Sequence, residues 1–401
     1  MTIESLFSAS AREMRPSAIR RMHALVQQRP GIISLAPGQP NLETFPAAAF
    51  CELADEVIRK HGASTFQYIV TRGLPALGEA IGSYLARKQI RTTAPELLVT
   101  EGSQQGLDLV SRVLLDPGDA VLVELPSYVG AISAFRAARA RMVGVRIDQE
   151  GVELDHLRYQ HATLRAAGTR VKFMYVIPNF QNPSGMSHSL ERRRGLLALA
   201  EELDLLLVED DPYGELYFEA TPRPTLKSLD TTHRVVYLSS FSKILAPGLR
   251  AAFIAGPPEL LAKIEIAKQA ANLCGSGLDQ RIVLRCLVTG IVEQQQHLVR
   301  SYYRPKRDAL VQALTEHMPA GASWATPEGG MFVWVTLPAH VDAEAMLPAA
   351  IESGVAYVTG APFFVEQPLA NTLRLTFASE NEAILREGAR RLGVATTAAI
   401  G

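Results

Sequence analysis

An excess of charge of one sign is missing from this chain of 401 residues: 40 Lys and Arg stand against 41 Asp and Glu, a formal net charge of −1. Such a chain projects no field able to gather phosphate backbones or anionic lipid, and no Lys/Arg-rich run compensates locally. Nucleic acid and membrane are therefore not expected as partners. Cysteine is scarce as well. Cys51, Cys274 and Cys286 are odd in number and scattered, with no CxxC pair or His cluster, so neither a disulfide framework nor a zinc site is expected, and a reducing cytoplasm fits. No apolar stretch free of charge approaches the ~18 residues that a membrane-spanning helix needs. The opening MTIESLFSASAREMRP mixes acidic and polar residues and lacks the apolar stretch of a signal peptide. Neither GxxxxGKS/T nor a strand-linked GxGxxG occurs, which leaves nucleotide cofactors unsupported.

What is present is enough apolar sequence for a large core, 47% of all residues. From about residue 95 short apolar runs alternate with helical stretches, the pattern of βα units on a mostly parallel sheet covered on both faces. Strands are expected over 97–99, 120–124, 172–177, 205–208, 235–238 and 251–255, several rich in β-branched residues. A long helical stretch over 279–314 leads into a smaller α+β region, with strands at 331–335, 355–358 and 372–377 and helices at 343–353 and 380–392. Residues 17–27 read as an amphipathic helix, followed by the loop-like APGQPN. The expected fold class is α/β: a mostly parallel central sheet in a large domain (46–285), a smaller α+β domain (286–401) and an N-terminal arm (1–45) packed with the small domain. With no repeat, low-complexity segment or Pro/Ser-rich linker, these parts should pack closely.

In open α/β sheets ligands gather outside the carboxyl ends of the strands, so the residues following each apolar run carry the chemical information. In VYLSSFSKILAPGLR, Lys243 follows a strand end and could serve as nucleophile and general base, a role that needs surroundings that lower its pKa. Ser240, Ser242 and Arg250 lie close enough in sequence to hold a phosphate beside it; a solvated surface turn is the plainer alternative. In LLLVEDDPY, Glu209, Asp210 and Asp211 emerge from a strand. One acid there could keep a pyridine nitrogen protonated, with Tyr213 reaching a ring hydroxyl oxygen; a divalent metal site or a solvated strand end would use the same residues.

In LLVTEGSQQGLDLVSRVLL, the N–H groups of Ser103 and Gln104 at a helix start could cradle a phosphate, or Ser103 could simply cap the helix. Tyr128 in VELPSYVGAI could lay its ring on a flat ligand or merely pack, and Asn182 in YVIPNFQNPSG could donate to a ring oxygen. Arg374 in ANTLRLTFA alternates with Leu373 and Leu375. Turned away from them, it is either solvated or free to grip an α-carboxylate with two parallel hydrogen bonds.

Taken in order, SAIR, APGQP, FQY, TEGSQQGLDLV, PSYVGAISAF, PNFQNPSG, VEDDPYGELYF, SSFSKILAPGLR, EGGMFVW and NTLRLTFA resemble the fold-type I, class I/II aminotransferases. The resemblance runs over about residues 17–392 and is to the branch of 2-aminoadipate and kynurenine aminotransferases in particular. It implies a pyridoxal-5′-phosphate (PLP) enzyme that moves the amino group of an L-α-amino acid to a 2-oxo acid by a ping-pong mechanism, with no metal. It also implies Lys243 as the Schiff-base lysine, Asp210 on the pyridine nitrogen, Asn182 and Tyr213 on the ring hydroxyl oxygen, and Tyr128 stacked on the ring. Ser103, Gln104, Ser240, Ser242 and Arg250 would form the phosphate cup, completed by Tyr68 of FQY supplied from a neighbouring subunit. That last role requires a homodimer with active sites at its interface. Arg374 would bind the substrate α-carboxylate, assisted by Asn182 and by the backbone at Gly38. Arg20 in SAIR would meet a distal carboxylate, suggesting a glutamate/2-oxoglutarate pairing, unless it is one more exposed arginine beside Arg12, Arg15 and Arg21.

Two segments depart from the family pattern. Pro37 to Pro40 reads PGQP where relatives usually read GGLP, and residues 69–74 read IVTRGL instead of the commoner SPTEGY. Both are expected in or near the substrate pocket, where Gln39 and Arg72 could change side-chain preference. Two other uses of the same residues stay open. One is a PLP enzyme of this fold diverted to β-elimination, cyclisation or decarboxylation; the other is a PLP-binding regulatory domain, although no helix-turn-helix precedes residue 20.

Overall fold

Successive side chains of a strand point to opposite faces, and in this chain both faces of the central strands are apolar. Ala120, Leu122, Met174, Val176 and Leu207 fall into one buried cluster, while Val121, Val123, Phe173, Tyr175 and Val208 fall into another. Helices Leu154–Ala166 and Leu190–Glu202 close the first face; Ser103–Leu114, Val129–Ala137 and Pro258–Asn272 close the second. The computed structural model describes residues 2–14, 29, 31–219 and 222–400. The helix expected over 17–27 and Arg20 within it lie outside these residues. No helix among the described residues is long and apolar enough to cross a membrane.

The sheet so formed has eight strands in the order Leu97–Thr100, Ala252–Ala255, Val235–Ser240, Leu206–Asp210, Val171–Val176, Ala120–Leu125, Arg141–Asp148, Gly151–Val152. The neighbours from Val235–Ser240 to Arg141–Asp148 pair in parallel, whereas Ala252–Ala255 and Gly151–Val152 run antiparallel to theirs. The mostly parallel α/β architecture is the expected one. The last two strands were not expected. Arg141, Arg146 and Asp148 are exposed and flank buried Val143 and Val145, a mixture typical of a sheet edge covered only in part.

The helical stretch expected over 279–314 is two helices, Gly277–Val288 and Ile291–His317, divided at Gly290, whose φ of +80° side-chain-bearing residues rarely adopt. Beyond it lies an antiparallel sheet in the order Ser323–Trp324, Phe332–Thr336, Thr372–Thr376, Val358–Thr359, with helix Ala343–Glu352 beside it. Its Val333, Leu373 and Leu375 belong to the same buried cluster as Val121 and Phe173 of the large sheet, so one core runs through both. The strand expected over 355–358 is divided. Val355–Ala356 leaves the small sheet and pairs in parallel with Ile33–Ser34, which draws the N-terminal segment across and brings residues 36–38 between the two sheets.

The C-terminal helix Glu382–Ile400 lies along Ile291–His317, and at Gly393 the two backbones come so close that a Cβ would overlap the His317 carbonyl. Helix propensity alone would make Gly393→Ala a gain of up to ~1 kcal/mol. Because the obstructing atom is backbone and cannot rotate away, we expect a loss of about 1–3 kcal/mol instead. Urea unfolding checks the sign: a lower midpoint for the variant is the expected result.

Candidate active site

The carboxyl ends of five strands of the large sheet lie along one edge, because Leu97–Thr100, antiparallel to an antiparallel neighbour, points the same way as the parallel set. Ser103, Tyr128, Asn182, Asp210 and Lys243 stand at or just after these ends and open on one cavity of about 570 Å3. Gly38 of the N-terminal segment and Arg374 of the small sheet complete its wall.

Lys243 closes a single helical turn, Phe241–Lys243, which begins where Ser240 Oγ accepts the Ser242 N–H at 3.0 Å. The lysine is half-buried and its Nζ donates to the Gly38 carbonyl at 3.0 Å, which rules out the solvated turn. Nζ also stands 5.9 Å from the centroid of the Tyr213 ring. Burial, with the charges of Arg374 and Arg250, pushes its pKa down from 10.5 to about 8.

The three consecutive acids are parted by strand alternation. Glu209 accepts the backbone N–H groups of Leu226 and Lys227 at 2.8 and 2.7 Å. Asp211 is bonded by Lys88 Nζ at 3.0 Å, Tyr237 OH at 2.7 Å and Asn179 Nδ2 at 2.8 Å; despite burial, Lys88 and these donors hold its pKa below the usual value. Asp210 lines the cavity, with one carboxylate oxygen taking a 2.8 Å bond from the Tyr175 hydroxyl. Burial raises its pKa to about 7 even against that bond. Among the described residues no group of three or more His, Cys, Asp or Glu side chains stands together as metal ligands.

Helix Ser103–Leu114 starts at the cavity; the N–H groups of Gln105 and Gly106 already donate to the Gly102 carbonyl, which leaves those of Ser103 and Gln104 without an intrahelical acceptor. Its cap, Gly102, has φ +83°, and a Cβ there would overlap the Arg250 guanidinium, which donates to the Glu101 carbonyl at 2.8 Å. Ser240 and Ser242 meet through their hydroxyls at 2.7 Å on the same wall. Serine hydroxyls, a helix N-terminus and a guanidinium together suit a phosphate. Gln104 also lines the cavity, its side chain donating to the Gly130 carbonyl at 2.9 Å.

Arg374 is 1% exposed, which removes the solvated alternative. Its Nη1 donates to Asn182 Oδ1 and its Nη2 to the Ala36 carbonyl, both at 2.9 Å, while the Phe332 ring lies 4.2 Å from its Cζ. Gly38, whose backbone is expected to assist at the α-carboxylate, receives Lys243 at its carbonyl, and a side chain at 38 would crowd Phe332. Asn182 Nδ2 donates to the Tyr213 hydroxyl at 3.3 Å, linking two of the residues expected around a ring hydroxyl oxygen.

Other expectations divide. Tyr68 is 77% exposed and does not line the cavity, and Arg20 lies outside the described residues. Gln39 lines the cavity, but Arg72 does not: its guanidinium binds Glu265 at 2.6 Å and the carbonyls of Pro95 and Leu97 at 3.1 and 3.0 Å, on the wall of a separate cavity. Two supports had no sequence signal. Tyr175 lies within the strand expected over 172–177, and Gln181 beside Asn182 in the motif quoted for that residue. Gln181 Nε2 in fact bridges Glu124 at 3.0 Å and the Pro126 carbonyl at 2.7 Å, tying the loop of Asn182 to the strand end before Tyr128.

The cofactor implied by the motifs fits this wall. Among the described residues, Ser103 Oγ, Asp210 Oδ1 and Arg374 Nε are buried without a hydrogen-bond partner, and all three residues line the cavity. Each such atom costs ~1–3 kcal/mol while unsatisfied. A phosphate, a protonated pyridine nitrogen and an α-carboxylate would satisfy them in turn.

Residues 30–392 match the family described as aminotransferase class I and II. The chain is 42% identical to aromatic-amino-acid aminotransferase 1 of Thermococcus litoralis, over 97% of its own length and 93% of that protein's. It is 41% identical to the 2-aminoadipate transaminase of Thermus thermophilus, over 96% and 95% of the two chains. A crystal structure of Pyrococcus horikoshii kynurenine aminotransferase in complex with PMP matches with a TM-score of 0.96 at 41% identity, covering 100% of this chain and 98% of that one. Sequence, fold and cavity agree, and the chain belongs to the class I and II aminotransferases, PLP-dependent enzymes that move an amino group between an amino acid and a 2-oxo acid.

Proposed function

We propose that this aminotransferase takes the amino group from an L-α-amino acid and passes it to 2-oxoglutarate in two half-reactions at one site, the first product leaving before the acceptor enters. One observation carries the reading: a lysine amine, an acid with an unpaired oxygen and a buried guanidinium converge on a single cavity beside a set of phosphate-binding groups. The likeness to a transaminase named for 2-aminoadipate, which bears a second carboxylate, supports 2-oxoglutarate as acceptor and Arg20 as the reader of its distal carboxylate.

Bound here, PLP supplies a carbonyl carbon that takes over the amino nitrogen and a pyridine ring that accepts the electron pair released at Cα. Ser103, Gln104, Ser240, Ser242 and Arg250 hold the phosphate, and Tyr128 lies against the ring. Asp210 keeps a proton on the ring nitrogen, while Asn182 and Tyr213 bind the ring hydroxyl oxygen. Arg374, with Asn182 and the backbone around Gly38, grips the substrate α-carboxylate and so presents Cα to Lys243. Lys243 Nζ takes the proton from Cα and later returns one. With a pKa of about 8, close to neutral pH, the amine is well matched to that exchange.

Exposure of Phe66, Tyr68 and Val70 at 69, 77 and 56% supports a homodimer in which a second copy covers this strip and Tyr68 reaches the neighbouring phosphate site. The free thiols of Cys51, Cys274 and Cys286 support a reducing, cytoplasmic setting.

The direct test is absorbance of the holoenzyme on adding L-glutamate, beside Lys243→Met. Conversion of the cofactor to its pyridoxamine form with release of 2-oxoglutarate is expected of the parent protein alone; a cofactor that stays in its aldehyde form with L-glutamate and with every other amino donor would sink the reading. Lys243→Met has a second signature. Because the folded-state pKa of about 8 lies below the usual 10.5, the folded chain disfavours the charged amine. The resulting penalty is fully present below about pH 8 and fades as pH rises to 10.5. Without cofactor, Lys243→Met should therefore be the more stable protein at pH 7, by about 1–3 kcal/mol in urea unfolding, and lose that advantage by pH 10.5.

Arg374→Lys should raise KM for every amino acid about a hundredfold, the loss of a bidentate, charge-assisted pair worth ~3 kcal/mol. Arg20→Gln should raise KM about fivefold for dicarboxylic substrates only, as expected for the loss of one ion pair of ~1 kcal/mol. Equal effects on an apolar donor would remove Arg20 from the site.

A further inference from the structure

We infer that Tyr175 is a positioning residue for this reaction: its hydroxyl holds one oxygen of Asp210 so that the other stays turned into the cavity. The inference rests on the role proposed above for Asp210. Tyr175 does not line the cavity and is fully buried, so it acts only through the acid.

The arrangement follows from two adjacent strands. Val171–Val176 runs parallel to Leu206–Asp210, with Tyr175 level with Val208, and the phenol reaches two residues further along to Asp210 Oδ2 at 2.8 Å. Its ring cannot swing away. Phe135 packs edge-on against it, with centroids 5.5 Å apart at 73°, and is itself packed edge-on against Phe173 at 5.4 Å. Phe135 belongs to helix Val129–Ala137, which begins directly after Tyr128, so the residue against the cofactor ring and the residue behind the acid share one support.

The terminal torsion of an aspartate is soft, so an acid held by nothing would rotate between many orientations. Asp210 Oδ1 is buried and has no partner among the described residues, hence the Tyr175 bond sets the plane of the group and leaves Oδ1 for a ligand. The same bond favours the ionised acid. Burial raises the proton affinity of Asp210, the Tyr175 hydroxyl opposes it, and the charge of Asp211 adds to it. Tyr128 and Tyr213 are the other titratable groups that sense the charge of Asp210 among the described residues, and burial raises the pKa of both phenols.

Tyr175→Phe keeps the ring and deletes the donor. Holoenzyme is diluted at a series of pH values and the fraction of cofactor retained is read by absorbance. The expected result is loss of cofactor at a midpoint about one pH unit higher than in the parent, a tenfold change in proton affinity. Placing 3-fluorotyrosine at 175, an isosteric and stronger donor, should move the midpoint the other way, and this variant tests the idea even if the phenylalanine variant folds poorly. In an Asp210→Asn background Tyr175→Phe should have no further effect on the midpoint.

An unmoved midpoint in both Tyr175 variants, with Asp210→Asn still releasing cofactor, overturns the role of Tyr175 and leaves that of Asp210 standing. A Tyr175→Phe effect that persists undiminished in the Asp210→Asn background overturns it too, because the ring would then act through packing. Failure of Asp210→Asn itself to weaken retention removes the reading of Asp210 on which the inference rests.

Discussion

A guanidinium that is 1% exposed must have acceptors brought to it, and the packing of this protein is organised around supplying them to Arg374. The side chain stands on the small sheet, Asn182 arrives on a loop from the large sheet, and the Ala36 carbonyl arrives on the N-terminal segment. That segment is in place because Ile33–Ser34 pairs with Val355–Ala356. Removing one partner of a buried charge costs about 3–5 kcal/mol, so the contact that closes the cavity on this side also ties three separate stretches of chain together. The unpaired Nε is the edge of the same group left open to a ligand.

The acidic triplet shows a second economy of charge. Alternation at a strand end sends Glu209 and Asp211 to one side and Asp210 to the other. On one side a helix start and a lysine answer the two carboxylates; on the other a single phenol answers half of the third. The result is one acid whose proton affinity is raised by burial and whose free oxygen faces the cavity, next to two that are fully occupied with structure. Lys243 is the counterpart: burial and two nearby arginines make its amine easier to deprotonate.

Much of this was legible in the sequence, for identifiable reasons. The central strands carry apolar residues on both faces, so Val235–Ser240 and Ala120–Leu125 stand out as runs, and the residues after them lie where a parallel sheet gathers ligands. The edge strand Arg141–Asp148 was not legible, since partial cover leaves exposed arginines at its ends and a glycine in its middle. The division at Gly290 does not show in the sequence, because the apolar spacing continues on both sides of it. Gln39 and Arg72 looked equivalent as departures from the family pattern, yet only Gln39 reaches the cavity; Arg72 is taken up by Glu265 and three backbone carbonyls.

The sequence by itself determined the fold class, the family and which residues stand at strand ends, because periodicity and local motifs are properties of short stretches of chain. Only the tertiary structure decided which of three consecutive acids faces the cavity, that Arg374 is buried, that Gly38 meets the lysine while Ala36 meets the arginine, and that Tyr175 stands behind Asp210. Those depend on side chains 35 to 338 positions apart meeting in a medium where an unanswered polar group is costly, and no local pattern encodes such a meeting.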